Sequence, residues 1–325
     1  MTSILVAIVT LLVVAAMVQI VRVSELLAEL KKEDVNEVTE SDNKTQGILY
    51  LVIGFGFLVF VVWQMIAWND LLLPDAASIH GAKIDALMQF TMTLILVVFF
   101  ITTPMLFIFS YLYRGKRSNN AYFFAHNNKL ELIWTIIPTI VLTGVIIYGL
   151  KTWNETMNMD LSSAKYIEIH SKQFGWTARY SGEDNKLGKS DFRLIDASNA
   201  LGVDMTDNNS LDDKVTREVH LVVDKPVLLQ FRSQDIIHSA FLPHFRVQMN
   251  CVPGLITQFG FTPTKTTAQM KQEEGEDFEY ILLCNKICGS AHYNMQMKFI
   301  VETQAEYDTW IAQQKTLGQK LLTQR

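Results

Sequence analysis

The sequence predicts N-terminal transmembrane α-helices followed by an all-β domain, a Greek-key sandwich or barrel. Four apolar stretches, at about 3–21, 47–67, 90–113 and 132–150, each come close to the ~20 residues a membrane-spanning helix needs. Beyond Trp153 the helical periodicity gives way to alternation, as in Tyr166-Ile167-Glu168-Ile169-His170, which is the period of a half-buried strand. Short alternating runs separated by turn residues favour a sandwich or barrel over a helical second half.

The first stretch lacks a basic n-region and an Ala-x-Ala site, and the sequence starts at Met1, so it reads as a retained span rather than a cleaved signal. Segment 23–45 sets Leu26, Leu27 and Leu30 among many charges and reads either as a helical extension or as a solvated linker. The first inter-span loop holds Arg22, Lys31, Lys32 and Lys44, the second only Lys83, and the third Arg114, Lys116, Arg117 and Lys129. Basic loops stay in the cytoplasm. Both termini and the polar half therefore face outward, which predicts a multi-pass protein of a bacterial inner membrane with its β domain in the periplasm. Trp134 and Pro138 in the fourth span read as anchoring and helix geometry.

The expected organisation is an extra span with a charged cytoplasmic segment (1–45), a second span with a periplasmic loop (46–88), a helix pair (89–153) and a periplasmic β domain ending in a helix (154–325). Strands are predicted at 166–170, 218–223, 227–231 and 278–283. The turn-rich 181–213 is predicted as a surface insertion, and a last helix from Thr303, where Thr303 and Glu306 form a capping box. The net charge of −5 gives no basic footprint for nucleic acid. His80 and His126 are expected as exposed loop side chains, and the acidic run 273–277 as a solvated loop that could steer a basic partner.

The chemistry concentrates in Cys284-Asn285-Lys286-Ile287-Cys288-Gly289-Ser290-Ala291-His292-Tyr293-Asn294-Met295, with His238 upstream. Two thiolates, two imidazoles and a thioether form a soft donor set, which favours copper. A mononuclear blue-copper site needs one cysteine. A second, four residues on, lets two sulfurs bridge two ions, each completed by a histidine and a weak axial ligand. Structural zinc or a Cys284–Cys288 disulfide stay open on the residues alone, although zinc rarely takes methionine and a disulfide leaves His292 and Met295 without a role. His244 is a local rival to His238. Cys251 reads as a small buried hydrophobe.

The pattern Cys-x-x-x-Cys-Gly-x-x-His-x-x-Met closely resembles the dinuclear CuA loop of cytochrome c oxidase subunit II. The resemblance extends to Asp235-Ile236-Ile237-His238-Ser239, Val252-Pro253-Gly254, Gln173-Phe174-Gly175-Trp176 and Glu131-Leu132-Ile133-Trp134-Thr135-Ile136-Ile137-Pro138, over roughly residues 75–303. It implies a cupredoxin-like β domain in which Cys284 and Cys288 bridge the coppers, His238 and His292 are terminal ligands, and Met295 and the Lys286 carbonyl are weak ones. It also implies electron input near Phe174 and Trp176, and a proton-input role for Glu131, whose plainer reading is a carboxylate at a helix N-terminus. The family commonly has glutamate where this chain has Lys286, holding magnesium between subunits I and II. An ammonium cannot ligate a cation, so that site is expected to be absent or rebuilt.

The implied partners are oxidase subunit I with its haem and second copper site, the other oxidase subunits, membrane lipids and a c-type cytochrome donor. The first two spans exceed the family core, so a second respiratory complex could pack on them. Asp235 reads as part of a docking surface or as a turn cap. The competing readings are a copper-free quinol-oxidase-type subunit II, which lacks these ligands, and a membrane-anchored metal carrier.

Overall fold

The computed structural model describes residues 2–31 and 38–323. Its helices and strands follow in chain order as α1 (Thr2–Lys31), α2 (Glu40–Ala67), α3 (Ile79–Leu112), α4 (Asn128–Met157), β1 (Lys165–Lys172), β2 (Gly175–Tyr180), β3 (Lys214–Thr216), β4 (Val219–Val222), β5 (Val227–Ser233), β6 (His238–Leu242), β7 (Val247–Cys251), β8 (Thr257–Phe261), α5 (Thr267–Glu274), β9 (Tyr280–Cys284), β10 (Gln296–Glu302), α6 (Gln304–Gln313) and α7 (Leu317–Thr323). They form two compact units, one of the described residues up to Asn69 with Ile95–Asn128, the other of Asp70–Leu94 with the described residues from Lys129 onward.

All four expected spans are helices long and apolar enough to cross a membrane. Helix α1 continues to Lys31, so the start of segment 23–45 is helical; Lys32 and the stretch 32–37 lie outside the described residues. Helix α2 begins at a capping box in which Thr39 accepts from the Asp42 amide and the Asp42 carboxylate accepts from Thr39 N. Within this unit α2 packs on the later turns of α3. Gly54 makes room for the Phe107 ring, which a Cβ would strike, and Phe57 meets Phe99 edge-on at 6.1 Å between centroids.

In the second unit the strands make two five-stranded sheets, ordered β3-β2-β1-β5-β8 and β4-β10-β9-β6-β7. Most neighbours are antiparallel, but β1–β5 and β10–β4 are parallel, so the chain crosses between sheets. Alternation sets the faces. Ile167 and Ile169 of β1 point into the shared core and Glu168 and His170 point away, while Met297, Phe299 and Val301 of β10 meet them from the other sheet. Helix α6 starts at the predicted Thr303–Glu306 box, and its Trp310 stacks on His220 at 3.8 Å. The acidic run is not wholly loop: Glu273 and Glu274 end α5, which has its own capping box from Thr266 to Gln269.

Two expectations fail for long-range reasons. His80 is buried, not exposed, because α3 begins ahead of its apolar stretch and its first turns dock on the β domain. Ala77 N donates to His244 O (2.7 Å), Ser78 Oγ to Phe245 O (2.8 Å), and the Arg246 guanidinium grips the Asp85 carboxylate (2.8 and 2.9 Å). Segment 181–213 is not a plain surface insertion either. Leu201, Val203, Ser210 and Asp213 are buried where it covers the outer face of the first sheet. There the Arg179 guanidinium donates to Glu168 of β1 (2.9 Å), Asp213 (2.9 Å) and the Gly188 carbonyl (2.8 Å), so the insertion adds two partners to the one the sheet supplies for this buried charge. His126 is exposed, as expected.

Candidate metal centre

The donors of the Cys284–Met295 run and His238 meet at one end of the second sheet. His238 opens β6 and Cys284 closes β9. Because these strands are antiparallel, with Ala240 opposite Cys284, the start of one and the end of the other coincide. The Cys284 amide donates to Met295 O (3.1 Å) and Asn285 N to Ser239 O (2.9 Å), which closes the loop back onto the sheet. A 3-10 turn at His292–Asn294 folds Met295 inward, where it is 1% exposed.

The sulfurs of Cys284 and Cys288 lie 3.8 Å apart and are unbonded, since a disulfide is about 2.05 Å. Each is faced by an imidazole: His238 Nδ1 is 3.8 Å from Cys284 Sγ and His292 Nδ1 is 3.5 Å from Cys288 Sγ. Met295 Sδ is 3.8 Å from Cys288 Sγ, and the Lys286 carbonyl oxygen is 3.3 Å from Cys284 Sγ, while the Lys286 side chain is exposed. His238, Cys284 and Cys288 each offer an atom within 4.8 Å of the other two. His244 is elsewhere, its ring against Phe278 (5.0 Å) and Tyr280 (5.4 Å). Cys251 is fully buried opposite His238, and desolvation pushes its thiol up to about 12, as suits a core residue.

Two residues hold the donors in place, a role that was expected of neither. Asp235 Oδ1 accepts from His238 Nε2 (2.8 Å) and Ile236 N (2.8 Å), and Oδ2 from Gln173 N (2.7 Å). Partial burial works against this carboxylate, but the three hydrogen bonds outweigh it and hold its pKa below the ordinary value. An ionised carboxylate only accepts, so His238 Nε2 carries the proton and the Nδ1 lone pair faces the sulfurs. Gln173 also donates from Nε2 to Cys288 O (2.6 Å), tying the β1–β2 turn to the cysteine loop. The signal available was the Asp-x-x-His spacing, which does not say which side chain the carboxylate meets.

Phe174 is 39% exposed and lies over Gly289, where a Cβ would come within 2.8 Å of the ring. Trp176 is 7% exposed, with its indole Nε1 donating to Met295 O (3.3 Å) and its ring 6.1 Å from His238. Glu131 is exposed in the first turn of α4. The donor set suits a soft metal: it offers three sulfurs, two imidazole nitrogens and a carbonyl, more than one tetrahedral zinc uses.

A profile of the cytochrome c oxidase subunit II transmembrane domain matches residues 66–152, and one of the subunit II periplasmic domain matches 166–303. The alternative cytochrome c oxidase subunit 2 of Bradyrhizobium diazoefficiens is 30% identical over 275 residues, covering 83% of this chain and 92% of that protein. Cytochrome c oxidase subunit 2 of Synechocystis is 23% identical over 289 residues, 82% of each chain. Among solved structures, the periplasmic domain of subunit II (CoxB) of Bradyrhizobium japonicum overlaps with a TM-score of 0.31 at 22% identity, covering 46% of this chain and 93% of that one. Both halves match in order, and the periplasmic match spans every proposed metal donor: the chain belongs to the cytochrome c oxidase subunit II family.

Proposed function

We propose that this subunit receives electrons from a c-type cytochrome at a dinuclear copper centre and passes them to haem in subunit I, where oxygen is reduced and protons are pumped. Cys284 and Cys288 would bridge the ions, His238 and His292 would bind through Nδ1, and Met295 Sδ and the Lys286 carbonyl would be the weak ligands. The observation that carries this reading is the pair of unbonded sulfurs, 3.8 Å apart, each faced by one imidazole. Bound copper supplies a one-electron carrier whose charge is shared by two ions. The chain's own residues hold that carrier rigid: Asp235 fixes the His238 ring, Gln173 anchors the Cys288 carbonyl, and buried Trp176 and Met295 keep water from the sulfurs. A site locked in this way changes little when an electron arrives or leaves.

Phe174, partly exposed beside Gly289, would be the apolar centre of the donor's docking site, with Trp176 packed behind it. Glu131 would stand at the mouth of a proton path into subunit I, at the cytoplasmic end of α4 in a bacterial inner membrane, with the β domain in the periplasm. Helices α1 and α2 would contact another oxidase subunit or a second respiratory complex.

The decisive experiment is metal analysis with paramagnetic resonance on the purified complex. About two coppers per chain in this subunit, with one unpaired electron shared by both, is the expected result for two bridging thiolates. One copper with an ordinary four-line spectrum, or stoichiometric zinc, would overturn it.

A further inference from the structure

The segment 181–213 and the loop after β7 enclose a cavity of about 490 Å³ on the outer face of the first sheet, apart from the cysteine loop. The metal centre makes no use of it. Its floor is polar in an unusual way. His170 of β1 is only 4% exposed, yet its imidazole makes no hydrogen bond among the described residues and opens onto the cavity. Buried polar groups are normally paired. Beside it, Arg232 of β5 uses Nη1 to reach Glu168 Oε2 (3.1 Å) and Ser190 Oγ, and leaves Nε and Nη2 without a partner among the described residues. Gln234, also in the lining, keeps a buried Oε1 that accepts no hydrogen bond among the described residues. Phe192, Ile195, Leu255 and Ile256 complete the rim with apolar surface.

We propose that this cavity binds a small hydroxy-monocarboxylic acid with an apolar tail. The free donors of the Arg232 fork and the His170 ring take the carboxylate, the geometry a planar guanidinium matches. The Gln234 oxygen accepts from the hydroxyl, and the apolar rim covers the tail. One negative charge fits better than two. Glu168 already offsets Arg232, and the Asp191 carboxylate also lies on the wall, held by the Arg193 amide (2.9 Å), so a dianion would meet repulsion. The volume falls within the range of small-molecule sites. With burial lowering its pKa, His170 is neutral in the free protein and so presents one N–H without adding charge. The proposal does not depend on the copper reading, because no donor of the metal centre lines the cavity.

The test is calorimetric titration of the full-length chain in detergent with 2-hydroxy-4-methylpentanoate, alongside 4-methylpentan-1-ol and inorganic phosphate. The hydroxy acid should bind saturably, and neither control should compete with it. Arg232→Gln and His170→Phe should each weaken binding about tenfold or more, the worth of one charge-assisted hydrogen bond. The metal centre's spectrum should be unchanged, which reports intact folding. If Arg232→Gln does not fold, His170→Phe with Phe192→Ala, one in the floor and one in the rim, decides the matter. Absence of saturable binding, equal binding of the alcohol, preference for phosphate, or unchanged affinity in the folded variants would overturn the proposal.

Discussion

The Asp235 carboxylate accepts the Nε2 proton of His238 at 2.8 Å, and this one contact determines which nitrogen of the ring faces Cys284. Supporting groups of this kind typically govern metal affinity by about 10–100-fold. Asp235→Ala should therefore lower copper affinity by about that factor, and Asp235→Asn by less, since an amide oxygen can still accept. Competition against a copper chelator measures it. Unaltered affinity in both variants would mean that the ring is oriented by packing alone.

Lys286 contributes through its backbone, not its side chain. Its carbonyl is 3.3 Å from Cys284 Sγ while the ammonium is exposed. Lys286→Ala should leave copper stoichiometry unchanged. Elemental analysis of the purified oxidase should find no magnesium bound at this position, because the ammonium cannot ligate it. Density for magnesium held at the same subunit junction by equivalent carboxylates would contradict this.

Phe174 and Trp176 should separate cleanly in a substitution test. Phe174→Ala should slow reduction by the native cytochrome in stopped-flow while copper stays bound, because the ring is exposed at the surface. Trp176→Ala removes a buried ring and its bond to Met295 O, and should cost about 3–5 kcal/mol of stability with partial loss of metal. If neither substitution alters the reduction rate with copper intact, electrons arrive by another face.

The β domain should soften in acid through His170. Burial is the main cause of its depressed pKa, about 4 against an ordinary 6.5, with Arg232 and Arg179 adding to the effect and Glu168 opposing it. The folded state therefore binds this proton less readily than the unfolded chain. Its contribution is complete above about pH 6.5 and is lost as pH falls toward 4, by up to about 3 kcal/mol. His170→Gln should flatten the dependence of the thermal midpoint on pH across that window. A wild-type midpoint that is level between pH 6.5 and 4 would contradict the assignment.

Deleting residues 1–70 removes α1 and α2 together with the packing of Gly54 on Phe107 and Phe57 on Phe99. Copper should still assemble, because every proposed donor lies in the other unit, but association with neighbouring subunits or a second complex should weaken. Native electrophoresis reads this directly. Co-migration with the same partners as full length would end the idea.

What rests on local spacing was legible from the residues alone. Four apolar stretches of membrane-spanning length became helices, the Thr303–Glu306 box starts α6, and the cysteines, His292 and Met295 meet because their loop is short. Tertiary structure decided what depends on strands pairing across long separations. His238 rather than His244 faces the cysteines because Ala240 of β6 pairs with Cys284 of β9, which puts the start of β6 at the cysteine end, while His244 follows that strand and turns to Phe278. His80 is buried because α3 begins ahead of its apolar stretch and sets this ring against Phe259 and Phe261 of β8, and 181–213 is partly core because it brings Asp213 and the Gly188 carbonyl to an Arg179 that the sheet pairs with Glu168 alone. Composition cannot reveal these outcomes, because a polar side chain is equally compatible with water and with a partner brought from far along the chain. Only the folded arrangement selects between them, by making the desolvation of each group depend on which partner reaches it.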